Sequence, residues 1–160
     1  GKYYFNEAGF RYGGSGTLYA VDYCRGINQI AMDIYYCLTG KSRSDGFGNI
    51  YDDSIVHGKR YAIYPVFLKT GTVEEIAGTD LLLERENILN ILFMKRSGSR
   101  IPDNGSFGHV AMLVHFIYAN RQELTDTIDQ IHDKLSVRDA DGQDLVIRLL
   151  DTEHTEFRGV

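Results

Sequence analysis

Glu7 closes an aromatic run, Tyr3-Tyr4-Phe5-Asn6, and Arg11 follows four residues later. Gly13-Gly14-Ser15-Gly16 comes next and leads directly into a helical pattern. A carboxylate at the end of an apolar strand is costly to bury alone, so Glu7 needs a cation beside it. Arg11 and a divalent metal both qualify. Mg²⁺ favours a carboxylate together with phosphate oxygens. An arginine grips phosphate or carboxylate through two parallel hydrogen bonds. A glycine-rich loop running into a helix start exposes backbone N–H groups that cradle an anion. Together these residues suit a phosphate–metal complex, with Glu7 on the metal, Arg11 on phosphate or substrate, and Gly13, Gly14 and Ser15 as the backbone cradle. The same residues also read as a salt bridge beside an ordinary turn, and spacing alone leaves both readings open.

The elements that must position them follow from periodicity. Residues 2–7 read as a strand and 8–16 as a loop. From 17 to 38, Leu18, Val21, Ile27, Ile30, Ile34 and Leu38 recur at helical spacing. Gly26 interrupts the run, Asn28 can cap a second helix, and Gly40 can stop it. Residues 41–58 are a polar, glycine-rich loop. Residues 61–68 read as a strand in which Pro65 implies an edge or a bulge. A short strand is expected at 72–76, ended by Gly78, and one or two elements over 81–94, with 88–94 a buried strand. Residues 97–108 read as a turn-rich loop. The longest apolar run, 109–119, reads as a central strand. Asn120 with Glu123 opens a helix in capping-box spacing, and Leu124, Ile128, Ile131 and Leu135 mark its apolar side. Residues 136–142 read as a turn and 145–150 as a last strand or short helix.

This order predicts an α+β fold, a largely antiparallel sheet with flanking helices that bury Leu18, Ile30, Ile34, Ile128 and Ile131. The 160 residues suit a single domain, 1–160, with the candidate site and its helices in 1–40 and a β-meander with a covering helix in 59–150. Hydrophobic residues make up 43% and charged residues 24%, enough apolar surface for a core. The formal charge of −5 argues against nucleic acid as a partner. No Lys/Arg cluster stands out beyond Lys41-Ser42-Arg43. No stretch approaches the roughly 20 apolar residues of a membrane span. Cys24 and Cys37 lack metal-ligand spacing and do not form a disulfide framework, which points to a reduced, cytoplasmic setting. The opening residues do not read as a signal peptide, since Glu7 interrupts a short apolar stretch.

Other candidates carry less. His109 and His115 lie six apart on the expected central strand and face one side, but they have no third ligand and read as hydrogen-bonded core or edge histidines. Asp52-Asp53 reads as a solvated loop, and Asp139, Asp141 and Gly142 as a turn rather than a calcium loop. Ser15 has no adjacent base that would make it a nucleophile.

The stretch Tyr3 to Gly16 resembles the closing strand and loop of the ATP-grasp superfamily, which includes carbamoyl-phosphate synthase, biotin carboxylase and the amino-acid ligases. In that resemblance Glu7 falls on the metal-ligating glutamate and Arg11 on the arginine that contacts phosphate or acyl substrate. Gly13, Gly14 and Ser15 fall on the substrate-side loop, while Gly9 stands where the family usually has an asparagine that also binds metal. The segment from Cys24 to Lys41 is similar to the helix that follows, and 69–78 with 109–142 to the C-terminal part of ligase-type members. The resemblance implies the C-terminal part of an ATP-grasp fold. It implies an ATP-dependent carboxylate–amine ligase working through an acyl phosphate, with ATP and Mg²⁺ bound by the intact enzyme. It implies small-molecule carboxylate and amine substrates, and a missing N-terminal part that carries the nucleotide-gripping lysines. The chain by itself is then expected to be inactive and to form a homo-oligomer. The alternative is a non-catalytic binding or oligomerisation module derived from that fold.

Overall fold

The structure is a computed structural model that describes residues 14–26, 28–41, 60–105 and 107–152. The chain divides into two compact units, Gly1–His57 and Gly58–Val160. The expected strand at 2–7, and the expected loop at 41–58 apart from Lys41, lie outside the described residues.

The first unit contributes α1 (Thr17–Arg25) and α2 (Gln29–Thr39), which touch one another. Gly26 separates them as expected, in the left-handed region at φ 62°, and its N–H bonds back to Asp22 O. Asn28 caps α2, its side chain accepting from Ala31 N at 2.9 Å. Gly40 ends α2 at φ 67°. Leu18 is only half-buried, and the expectation that Ile30 and Ile34 are buried is overturned: they are 52% and 56% exposed. Apolar spacing specifies that a helix has an apolar side, not that the side finds cover.

The second unit is built on a four-stranded antiparallel sheet. Its strands are β1 (Arg60–Leu68), β4 (Ile88–Phe93), β6 (Val110–Tyr118) and β8 (Val146–Ile147), in the order β4-β6-β1-β8. β6 is central, as its long apolar run predicted, and all its residues but Tyr118 are buried. Successive side chains of a strand alternate in direction, so both faces of β6 are covered. β8 pairs with Phe67 and Leu68, so among the described residues Pro65 sits where β1 is bonded to β6 on one side, next to a bulge at Val66/Phe67.

The expected single strand at 72–76 is two pieces that part company at Val73 and Glu74. β2 (Gly71–Thr72) pairs with β5 (Arg100–Ile101), and β3 (Glu75–Ala77) with β7 (Ser136–Arg138). The expected loop at 97–108 therefore contains β5 and a 3₁₀ turn, Phe107–His109. The expected turn at 136–142 begins as β7 and turns only afterwards. Short strands of this kind are set by their partners, and local sequence does not announce them.

Two helices complete the unit. α3 (Thr79–Leu83) inserts Leu82 into the core. α4 (Arg121–Lys134) buries Thr127 and places Leu124, Ile128 and Ile131 in the cluster that holds Met112, Val114 and Phe116 of β6. Asn120 caps α4 by accepting from Glu123 N at 3.0 Å. Glu123 reaches back to Ala119 N at 2.7 Å, one residue upstream of the usual capping-box donor. Gly78, at φ 89°, joins β3 to α3, and a Cβ there would lie 1.9 Å from the carbonyl oxygen of Lys134.

Candidate functional site

Of the residues singled out for chemistry, Glu7, Arg11 and Gly13 lie outside the described residues, as do Asp52 and Asp53. Gly14 and Ser15 are described. They form the turn that delivers the chain to α1. Ser15 takes φ 66°, a left-handed value that a non-glycine residue seldom adopts. Gly16, the N-cap, takes φ 68° and ψ 26°. Gly16 has no side chain with which to cap this helix start, and the first turn of α1 holds no acidic residue. A helix N-terminus carries a partial positive charge, and no carboxylate within the first turn of α1 offsets it. Among the described residues, a Cβ at Gly14 would meet nothing within 4 Å. Such a turn can receive an anion on backbone N–H groups.

The second unit holds polar pairs that sequence reasoning did not assemble. His115 is fully buried, and its Nδ1 lies 2.9 Å from the Tyr61 hydroxyl on the neighbouring strand. Burial holds its imidazole below the ordinary value. His109 sits in the 3₁₀ turn before the strand rather than on it, with Nδ1 2.8 Å from Leu68 O. The two histidines are thus hydrogen-bonded separately. Among the described residues no group of three His, Cys, Asp or Glu could hold a metal ion. Tyr64 and His132 meet across the sheet–helix interface at 2.7 Å. Only the strand register and the docking of α4 create these pairs, so no spacing in the sequence could reveal them.

Asn87 is the other polar side chain the sequence did not mark. It is buried, donates to Thr127 Oγ1 at 2.8 Å and to Ile117 O at 3.4 Å, and accepts from Arg85 Nε at 3.3 Å. It ties the approach to β4 onto β6 and α4.

An open depression of about 590 Å³ lies over the start of α4, lined by Asn120, Arg121, Gln122, Thr125, Asp129 and Thr152. Asn120 is spent on the helix cap, and Asp129 accepts from Thr152 at 2.6 Å. These groups hold the fold together and are not convergent on a ligand. Asp139 is likewise spent on a turn, its Oδ1 accepting from Asp141 N and Gln143 N.

The helices and antiparallel sheet make an α+β fold, and that fold is shared with a solved structure. The crystal structure of an L-amino acid ligase from Bacillus licheniformis is similar to this chain, with a TM-score of 0.63 and 21% sequence identity. The match covers 82% of this chain and 31% of the ligase, so the chain spans about a third of that protein's length. At this identity the likeness establishes fold and not reaction. No protein-family model and no curated protein matches the sequence. Among the described residues no helix is long and apolar enough to cross a membrane.

Proposed function

We propose that this chain is the C-terminal part of an ATP-dependent carboxylate–amine ligase that works through an acyl phosphate. The observation that carries the reading is the turn at Gly14, Ser15 and Gly16, which brings two successive left-handed residues and no capping side chain of Gly16 to the start of α1, with nothing among the described residues within 4 Å of a Cβ at Gly14. That geometry fits the phosphate end of the substrate complex. The ATP-grasp-like fold and the sequence motif around Glu7 and Arg11 support the same reading.

In this reading Glu7 supplies a carboxylate oxygen to the metal. Arg11 holds a phosphate or acyl-phosphate group through its planar guanidinium. The 13–16 turn lets substrate approach the backbone closely, since neither Gly13 nor Gly14 carries a side chain. Bound Mg²⁺ supplies neutralisation of the charge on the transferring phosphoryl group. The substrates are a small carboxylic acid and an amine.

The test is amino-acid-dependent phosphate release by the enzyme that contains this chain, with Glu7→Gln and Arg11→Lys. Steep loss of turnover in both variants supports the reading. Near-normal rates in both would leave Glu7 and Arg11 as a salt bridge and sink it.

A further inference from the structure

β4 is the outermost strand on its side of the sheet, and among the described residues it bonds to β6 alone. An unpaired edge of this kind is a template for another strand. The edge is also apolar. Leu89, Phe93 and Met94 are 39%, 50% and 44% exposed, and Leu81 and Leu83 on the adjoining α3 are 53% and 48% exposed. Natural edge strands are usually protected by a charge or a proline within the strand or by a bulge; Ile88-Leu89-Asn90-Ile91-Leu92-Phe93 has no charge and no proline, and its one irregularity lies at its start, between Ile88 and Asn90.

The charges sit at the two ends instead, and they differ in sign. Asp80, Glu84 and Glu86 are exposed where the chain approaches β4, and the one cation among them, Arg85, has its Nε on Asn87. Lys95 and Arg96 follow the end of β4, and Arg100 stands across the turn. That turn is closed by Arg96 N to Ser99 Oγ at 3.0 Å and Ser99 N to Arg96 O at 2.9 Å. None of these three acids or of Lys95, Arg96 and Arg100 forms an ion pair among the described residues. The strand therefore runs from an acidic end to a basic end.

We propose that a second copy of this chain pairs antiparallel along β4 about a two-fold axis. Only an antiparallel, self-complementary pairing sets each acidic end against the other's basic end. Centred on Ile91, with the irregularity between Ile88 and Asn90 counted as a single step, Ile88 of one copy stands opposite Phe93 of the other. Carried two residues outward, the same register brings Glu86 level with Lys95. The exposed Leu89, Phe93 and Met94 of the two copies then lie along the shared edge.

Light scattering on the 160-residue chain at micromolar concentration tests this, together with two charge-reversed variants, Lys95→Glu/Arg96→Glu and Glu84→Lys/Glu86→Lys. The wild type is expected at twice 18.1 kDa. Each variant alone, with both ends of like sign, is expected to dissociate at least about tenfold more readily. An equimolar mixture of the two is expected to recover the dimer, which also shows that each remains folded. A wild-type mass of 18.1 kDa overturns the proposal and leaves the edge to a different partner. A dimer equally strong in both variants overturns it as well.

Discussion

The hydroxyl of Tyr64 on β1 and Nε2 of His132 on α4 lie 2.7 Å apart, with the rings edge to face at a centroid distance of 5.7 Å. This bond fastens the covering helix to the sheet. Burial pushes the His132 imidazole below its ordinary 6.5, the Arg148 guanidinium adds to that, and Asp129 and Asp133 oppose it. Burial raises the Tyr64 phenol above its ordinary 10.0. Arg148 is held in place by Asp144 at 3.2 Å and by His132 O at 3.1 Å.

The direction of these shifts sets a pH dependence. His132 and His115 both titrate lower in the folded chain than in the unfolded one. Below 6.5 the unfolded chain binds more protons, so stability is full above that value and falls as pH drops through it. Denaturant midpoints measured from pH 7.5 to pH 5 should decline, and His132→Gln should flatten part of the slope. A midpoint independent of pH over that range would contradict the burial of both imidazoles.

Gly78→Ala should be severely destabilising. The left-handed φ of 89° disfavours any side chain, and the added carbon would collide with the backbone carbonyl of Lys134, which cannot swing away as a side chain would. A loss of about 3 kcal/mol or more is expected in urea unfolding. Gly98→Ala, at a similar φ of 82° but with nothing within 4 Å, should cost only about 1 kcal/mol.

Asn87→Ala should loosen the junction of β4, β6 and α4. It leaves the Ile117 carbonyl without its side-chain donor and Thr127 Oγ1 without the Asn87 amide that donates to it. Buried polar groups stripped of a partner cost about 1–3 kcal/mol each. Hydrogen exchange should show faster opening at the start of α4 than in β1.

Ile131→Ala removes a side chain that is 1% exposed in the main core and should cost about 2–5 kcal/mol. Ile34→Ala, from an equally apolar helix position that is 56% exposed, should change stability by less than about 0.5 kcal/mol. Thermal melts of the two variants separate a covered stripe from an uncovered one.

The 160-residue chain is expected to release no phosphate from ATP at a measurable steady rate. The motivation is that the sequence resembles only the closing part of an ATP-grasp enzyme and the match spans 31% of the ligase. Mg²⁺-dependent turnover by this chain, abolished by Glu7→Gln, would show that it holds a complete site.

What the sequence by itself determined are the features written in neighbouring residues. The α1–Gly26–α2 break, the Asn28 and Asn120 caps, the Gly40 stop and the central run of β6 are local: a cap needs one side chain and an N–H three residues on, and a buried strand needs an unbroken apolar run. The α+β class followed from the order of those elements. Tertiary structure alone decided the rest. It split 72–76 between two partners, because strands of two or three residues take their existence from the strand opposite. It joined Tyr61 to His115 and Tyr64 to His132, residues 54 and 68 positions apart, because register and helix docking fix such pairs. It left Ile30 and Ile34 exposed while burying Ile128 and Ile131 at the same kind of spacing, since periodicity says that a helix has an apolar face but not what lies against it.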